Sequence, residues 1–197
     1  MSDSKVKLVF ATNNQHKLEE VKSILGDSFQ LMSMQDIGFN DDVEETESTF
    51  EGNAYLKAKA IFDQFKLPCF SDDSGLEVEI LNNAPGVYSA RYAGEHGNHD
   101  KNMDKLLTEL LLKENRNARF RTVICYIDGK GLTSYFNGII TGQITNERHG
   151  EKGFGYDPIF KPDGFNITFA EMDAAEKNII SHRAIAVKEL FNYLQQQ

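Results

Sequence analysis

The chain has 197 residues, 40% of them hydrophobic and 26% charged, enough for one sizeable globular core or two small lobes sharing a cleft. Lysine and arginine number 21 against 30 aspartates and glutamates, a net charge of −9. That balance argues against polymeric nucleic acid, which needs basic patches, but allows a small anionic ligand where local cations or a metal offset the field.

Lys5 to Ala11 reads as a first buried strand around Val6, Leu8, Val9 and Phe10, running straight into Thr12-Asn13-Asn14-Gln15-His16-Lys17. Before it, Met1-Ser2-Asp3-Ser4-Lys5 lacks the apolar core of a signal peptide. Leu18, Val21, Ile24 and Leu25 then recur at helical spacing, with Gly26 as the expected stop. Strand, polar turn and helix N-terminus in that order make an anion site, because backbone N–H groups and the helix dipole face the turn. Lys17 adds a full positive charge. The loop lacks the G-x-x-x-x-G-K of a Walker A sequence, and an Asn-capped connection accounts for the same residues without a ligand.

Phe29 to Met34 suits a short second strand. Asp41, Asp42, Glu44, Glu45, Glu47 and Glu51 follow, a charge run that by itself reads as a solvated face. It leads into Ser48-Thr49-Phe50-Glu51, which fits a capping box opening a helix with Phe50, Ala54, Ala58, Ile61 and Phe65 as its buried stripe. Glu44 and Glu45 then lie on a loop just before a helix.

The run from Cys69 to Ile80, with Ser71-Asp72-Asp73-Ser74-Gly75 at its centre, is predicted as strand, tight turn, strand. Gly75 supplies the backbone freedom of that turn. Adjacent strand residues point to opposite faces, so Asp72 and Asp73 are expected to hold different jobs. A hairpin whose Asp and Ser residues cap their own backbone explains the same pattern. Carboxylates from this turn and from the Glu44-Glu45 loop together are what a hard divalent cation needs; Mg²⁺ usually takes one or two plus substrate phosphates and waters.

Ala84 to Gly94, rich in turn formers and aromatics, reads as an ordered loop or short helix. His96, His99 and Asp100 superficially resemble metal ligands, but they lie among Gly94, Glu95, Gly97 and Asn98 and are expected on a mobile loop. Met103, Leu106, Leu107, Leu110 and Leu111 mark a third amphipathic helix. Arg119 to Ile127 and Leu132 to Ile144, joined through Asp128-Gly129-Lys130-Gly131, form the clearest antiparallel hairpin. Gly150 to Phe160 has glycines that let backbone approach a ligand, with Phe154 and Tyr156 offering aromatic faces. Glu176 to Arg183 leads into a C-terminal helix marked by Ala184, Val187, Leu190, Phe191 and Leu194. By its local pattern Ser181-His182-Arg183 reads as a helix N-cap followed by two exposed residues. Cys69 and Cys125 fall in apolar strand-like segments and read as buried thiols of a cytoplasmic protein. No apolar run reaches the roughly 20 residues that span a bilayer, and no linker or repeat divides residues 1–197 into separate domains.

Six of these stretches in this order resemble the inosine triphosphate pyrophosphatase family. They are Thr12-Asn13-Asn14-Gln15-His16-Lys17, Glu44-Glu45-Thr46 with Thr49-Phe50-x-x-Asn53-Ala54, Ser71-Asp72-Asp73-Ser74-Gly75-Leu76, Pro85-Gly86-Val87-Tyr88-Ser89-Ala90-Arg91, Gly153 to Phe160, and Ser181-His182-Arg183. The wording Asp-Asp-Ser-Gly-Leu and Tyr-Ser-Ala-Arg is closer to the bacterial branch. Asn13 stands where the family often has Gly; Asn tolerates left-handed backbone, so the phosphate turn is expected to survive.

The resemblance implies an α/β fold with an elongated mixed β-sheet, flanking helices and two lobes around a central cleft, in a cytoplasmic homodimer. It implies hydrolysis of deaminated purine nucleoside triphosphates (ITP, dITP, XTP) to the monophosphate and pyrophosphate, with Mg²⁺. By the same resemblance Asp73 is the proton acceptor and a metal ligand, and the Glu44-Glu45 pair supplies the other metal-binding carboxylate from Glu44 or Glu45. Thr12, Asn13, Asn14, Gln15, His16, Lys17, Ser74, Phe154, Gly155, Tyr156, Asp157, Lys177, His182 and Arg183 line the substrate. Arg183 donates only and His182 can donate, so the pair suits the 6-carbonyl of hypoxanthine and leaves the amino group of adenine unmatched. A pyrophosphatase for other modified nucleotides and a nucleotide-binding protein without catalysis are the alternatives.

Overall fold

The structure, a computed structural model, describes residues 7–25 and 29–196. Lys5 and Val6, predicted to start the first strand, and Gly26, the predicted helix stop, lie outside the described residues. The strands are β1 (Lys7–Phe10), β2 (Gln30–Met32), β3 (Cys69–Val78), β4 (Ala84–Pro85), β5 (Asn117–Ile127), β6 (Thr133–Ile144) and β7 (Phe160–Pro162). The helices are α1 (Gln15–Leu25), α2 (Phe50–Phe65), α3 (His99–Glu109), α4 (Ala174–Ile180) and α5 (His182–Leu194). Among the described residues the strands form one mixed sheet in the order β2-β1-β3-β5-β6-β7, with β4 paired to β3. β1 runs parallel to β2 and to β3, with Val9 opposite Cys69, while β3–β4 and β6–β7 are antiparallel. The predicted mixed α/β fold is therefore the observed one.

The chain divides into two compact units. The first holds the described residues up to Asp73, Thr122–Gly138 and the chain from Arg183 onward. Its central strands β1, β3 and β5 bury both faces. Leu8, Phe10, Phe70 and Ile124 pack on one face with Leu18 and Val21 of α1 and Val187 and Leu190 of α5. Val9, Cys69, Cys125 and Ile127 pack on the other with Ala54, Ala58 and Ile61 of α2. Both cysteines are free and buried, as predicted.

The second unit comprises Ser74–Arg121 and Ile139–His182. Its single core joins Leu76 and Val78, the α3 residues Met103, Leu106 and Leu110, and a ring set of Phe120, Phe160 and Phe169. No described helix is long and apolar enough to cross a membrane.

Four local expectations need correction. No turn interrupts β3: Gly75 is buried within a continuous strand and has no positive φ. Leu76 and Val78 keep the two-residue period set by Phe70, and partners from distant segments make burial of Asp72 and Asp73 possible without a bend. The α2 cap is Thr49, one residue later than predicted, accepting from Gly52 N, so Glu51 does not close a capping box from Ser48. A side chain at Gly52 would lie 2.6 Å from Glu47 Cβ, which explains the small residue on that first turn. His99 and Asp100 sit in the first turn of α3 rather than in a loop. Finally, Ser181 ends the unforeseen α4, and His182 and Arg183 are buried rather than exposed.

Candidate active site

β3 presents two consecutive carboxylates to different helices. Asp72 lies on the face of Phe70, toward α1 and α5. Lys17 Nζ donates to its Oδ1 at 3.0 Å and Arg183 Nε to its Oδ2 at 3.1 Å, while Arg183 Nη1 also donates to Glu20. Burial alone would raise the Asp72 pKa, but Lys17, Arg183 and Lys57 overrule it and hold the carboxyl well below the usual range.

Asp73 lies on the opposite face, with Cys69 and Ser71, toward α2. Ser71 Oγ donates to Ala54 O and Cys69 Sγ to Ala58 O, locking strand and helix together. Asn53 Nδ2 donates to Asp73 Oδ2 at 3.1 Å, and Asn53 Oδ1 accepts from Glu47 N, tying the acidic loop to the same point. Lys57 Nζ donates to Glu45 Oε1 at 2.6 Å and to the Asp72 carbonyl at 2.7 Å. Burial pushes the Asp73 pKa up, Lys57 opposes it and Glu45 adds to it, leaving the carboxyl above its ordinary value. Burial would lower Lys57, yet Asp73, Glu45 and Asp72 together raise it, so it stays an ammonium.

The turn entering α1 is capped from within. Thr12 Oγ1 accepts from Asn14 N, and Asn14 Oδ1 accepts from Lys17 N, three residues on, as an N-cap does. Asn13, Gln15 and His16 are exposed, and Gln15 Nε2 donates to Glu19. Positive φ outside glycine falls, among the described residues, on Lys66, Asn82, Asn83 and Leu112. Asn13 thus needs no left-handed backbone, which removes the reason to expect glycine there.

Among the described residues no three Asp, Glu, His or Cys side chains converge as a metal cage. What the fold brings together is the pair Glu45 and Asp73, electrostatically coupled across Lys57, while Glu44 is exposed. Two hard oxygen donors that repel one another fit Mg²⁺, which completes its shell with phosphates and water.

The second unit carries a different cluster. Lys177 Nζ donates to Asp157 Oδ2 at 2.6 Å, and both side chains are buried. The ammonium lies 5.0 Å from the Phe154 ring centre and 5.6 Å from that of Phe169, within cation–π range. Asp157 Oδ2 also accepts from Phe154 N, closing a turn in which a side chain at Gly153 (φ +76°) would lie 2.1 Å from that oxygen. His182 stacks on Phe120 at 4.7 Å with planes 10° apart. Tyr156 is buried with its hydroxyl donating to Ser89 O, and Gly155 and Ser74 are half-buried.

The Ham1 family model matches residues 8–193. The chain belongs to the Ham1 family. It is 51% identical over 189 residues to a "dITP/XTP pyrophosphatase" of Porphyromonas gingivalis, covering 95% of this chain and 97% of that one. It is 50% identical over 188 residues to the protein of the same name from Flavobacterium psychrophilum, covering 95% and 98%. The solved Ham1 protein of Staphylococcus aureus matches with a TM-score of 0.88 at 40% identity, covering 96% of this chain and 98% of that one.

Read from motifs alone, the sequence hides some of the residues that build these clusters. Lys57 carries the charge that Asp73 and Glu45 share, yet no motif marks it. One signal was available: Lys57 sits three residues after Ala54 and four before Ile61, which puts a lysine on the buried stripe of α2. Asn53 lies on that stripe too. Glu20 and Phe120 had no local signal, since their partners Arg183 and His182 are 163 and 62 positions away in the sequence (183 − 20 and 182 − 120).

Proposed function

We propose that this chain hydrolyses deaminated purine nucleoside triphosphates, ITP, dITP and XTP, to the monophosphate and pyrophosphate. The observation that carries the reading is Asp73 on β3, raised in basicity, coupled to Glu45 and flanked by Lys57 and Lys17. The names of the relatives supply the substrate class.

Asp73 takes the proton from water attacking the α-phosphorus. A base whose pKa has been raised toward neutrality suits that task better than an ordinary carboxylate. Asn53 fixes which oxygen of Asp73 faces the water. Lys17 and the α1 N-terminus, with the Thr12–Lys17 turn, hold the departing diphosphate. Glu45 and Asp73 would hold Mg²⁺, with Glu44 in reserve on the same loop, and the ion when bound neutralises phosphate charge and acidifies water. Phe154, Gly155, Tyr156, Asp157, Lys177, His182 and Ser74 serve the nucleoside end. Arg183 contributes to the 6-carbonyl while anchored by Asp72 and Glu20. The working form is a cytoplasmic homodimer whose substrates are small nucleotides rather than nucleic acid or membrane.

Pyrophosphate release from ITP, XTP, dITP, GTP, ATP and dUTP, each with and without Mg²⁺, tests the reading. Turnover restricted to ITP, XTP and dITP and lost without Mg²⁺ is the expected result. Preference for dUTP, or no release from any nucleotide, would overturn it. Light scattering at twice the 22.3 kDa chain mass tests the dimer.

A further inference from the structure

Pro85 to Arg91 holds none of the residues assigned to substrate, yet its centre is tied to three other elements of the second unit. The segment from Gly86 to Arg91 is a 3-10 helix with Ser89 buried inside it. Ser89 Oγ accepts from Leu76 N at 2.9 Å, two residues beyond Ser74 on β3, and donates to Gly86 O at 2.6 Å. Its carbonyl accepts from Tyr156 Oη at 3.0 Å and from Asn102 Nδ2 of α3 at 3.3 Å. Asn102 is spent on the same helix end, donating to Ala90 O and accepting from Ala93 N. Burial pushes the Tyr156 phenol up, so at neutral pH it remains the donor this contact needs.

Three buried donors and one half-buried carbonyl thus meet at one residue, and each buried donor would be costly to leave unpaired. A displacement of Ser89 therefore acts on the β3 backbone at Leu76 and on the Phe154–Asp157 turn together. Lys177 fixes Asp157 at one end of that turn; Tyr156 fixes its middle to Ser89.

Resting on the function proposed above, we infer that Ser89 is a positioning residue for nucleobase recognition, holding the Phe154–Asp157 turn in register with β3 without touching substrate. Misplacements near 1 Å can cost a reaction about 10²-fold, so a scaffold contact of this kind reaches the kinetics.

The test compares wild type, Ser89→Ala, Tyr156→Phe and the double variant. KM and kcat are measured on ITP and ATP at fixed Mg²⁺, and amide hydrogen exchange is followed over residues 74–78 and 150–160. Each single variant is expected to raise KM for ITP about tenfold with kcat within about threefold, and to narrow the ITP-to-ATP preference. The double variant should lose little more than either alone, because the two break successive links, Leu76 N–Ser89 Oγ and Ser89 O–Tyr156 Oη, of one path between β3 and the turn. Exchange over 150–160 should quicken in Ser89→Ala, which lies more than 60 residues before that segment. Unchanged KM, equal losses on ITP and ATP, additive losses, or exchange confined to Leu76 would each overturn the inference. A wild type that cleaves no nucleotide would instead sink the proposed activity, while the exchange arm still decides whether Ser89 holds the turn.

Discussion

On the α1–α5 side of β3, Lys17 and Arg183 contact the Asp72 carboxylate directly and hold it ionised. On the α2 side, one residue later, Asp73 has an amide for a hydrogen bond and shares Lys57 with Glu45. Both carboxyls are buried, so burial does not separate them. Direct ion pairing does. Where two cations bond the carboxylate itself, it is a structural anchor held ionised. Where the nearby ammonium of Lys57 bonds Glu45 instead, burial prevails over the field of Lys57 and Lys17, and the group can take up a proton or attract a second cation. Strand alternation turns one dipeptide into two environments, with no extra chain needed.

The comparison breaks most sharply at Asp73. Asp73→Asn is expected to lower kcat by about 10²–10⁴-fold while nucleotide binding persists. Its folded-state pKa is raised, so ionising Asp73 opposes folding, and asparagine removes that charge. The unfolding midpoint should therefore hold or rise. A variant that keeps near-normal turnover, or that loses stability along with activity, would place Asp73 in the same class as Asp72.

Asp72→Asn should show the reverse signature. Arg183 and Lys17 would remain buried with one carboxylate fewer, a loss of about 3–5 kcal/mol for a broken buried pair. Urea unfolding should show this as a lower midpoint at unchanged slope. A stability loss under about 1 kcal/mol would mean that Glu20 alone satisfies Arg183, and the anchor role would pass to the Arg183–Glu20 pair.

How much of this was legible in the sequence follows the same division. The β1–turn–α1 entry, the opposed faces of Asp72 and Asp73, the long hairpin and the buried cysteines all rest on periodicities within about a dozen residues. The continuous course of β3 did not, because Ser71 to Gly75 has the local composition of a turn. Arg183, 111 positions further on, and Lys17, 55 positions back, satisfy Asp72. Asn53 and the Ala54 carbonyl serve Asp73 and Ser71, and together these partners make that stretch fit for a buried strand. Likewise Ser181-His182-Arg183 reads locally as a cap followed by exposed polar residues. Its burial depends on Phe120 for one side chain and on Asp72 and Glu20 for the next. Motif order carried the family across these gaps without revealing the contacts.

Lys57 gives the finest test, because it stands in the field of three carboxylates, Asp73, Glu45 and Asp72. Its ammonium and a divalent ion answer the same two charges, from Glu45 and Asp73. If they compete, Lys57→Met should tighten Mg²⁺ binding about tenfold, near 1.4 kcal/mol, as measured by calorimetry without nucleotide. Thermal midpoints should then rise more with added Mg²⁺ in the variant than in wild type. If Lys57 instead holds Glu45 in place for the ion, the same variant should bind Mg²⁺ more weakly, since the 2.6 Å pair that orients the carboxylate is gone. The sign of one measurement decides between them. The electrostatics favour competition: Lys57 already occupies Glu45 Oε1 and is raised by Asp73 as well, so it answers the charges that an ion would neutralise.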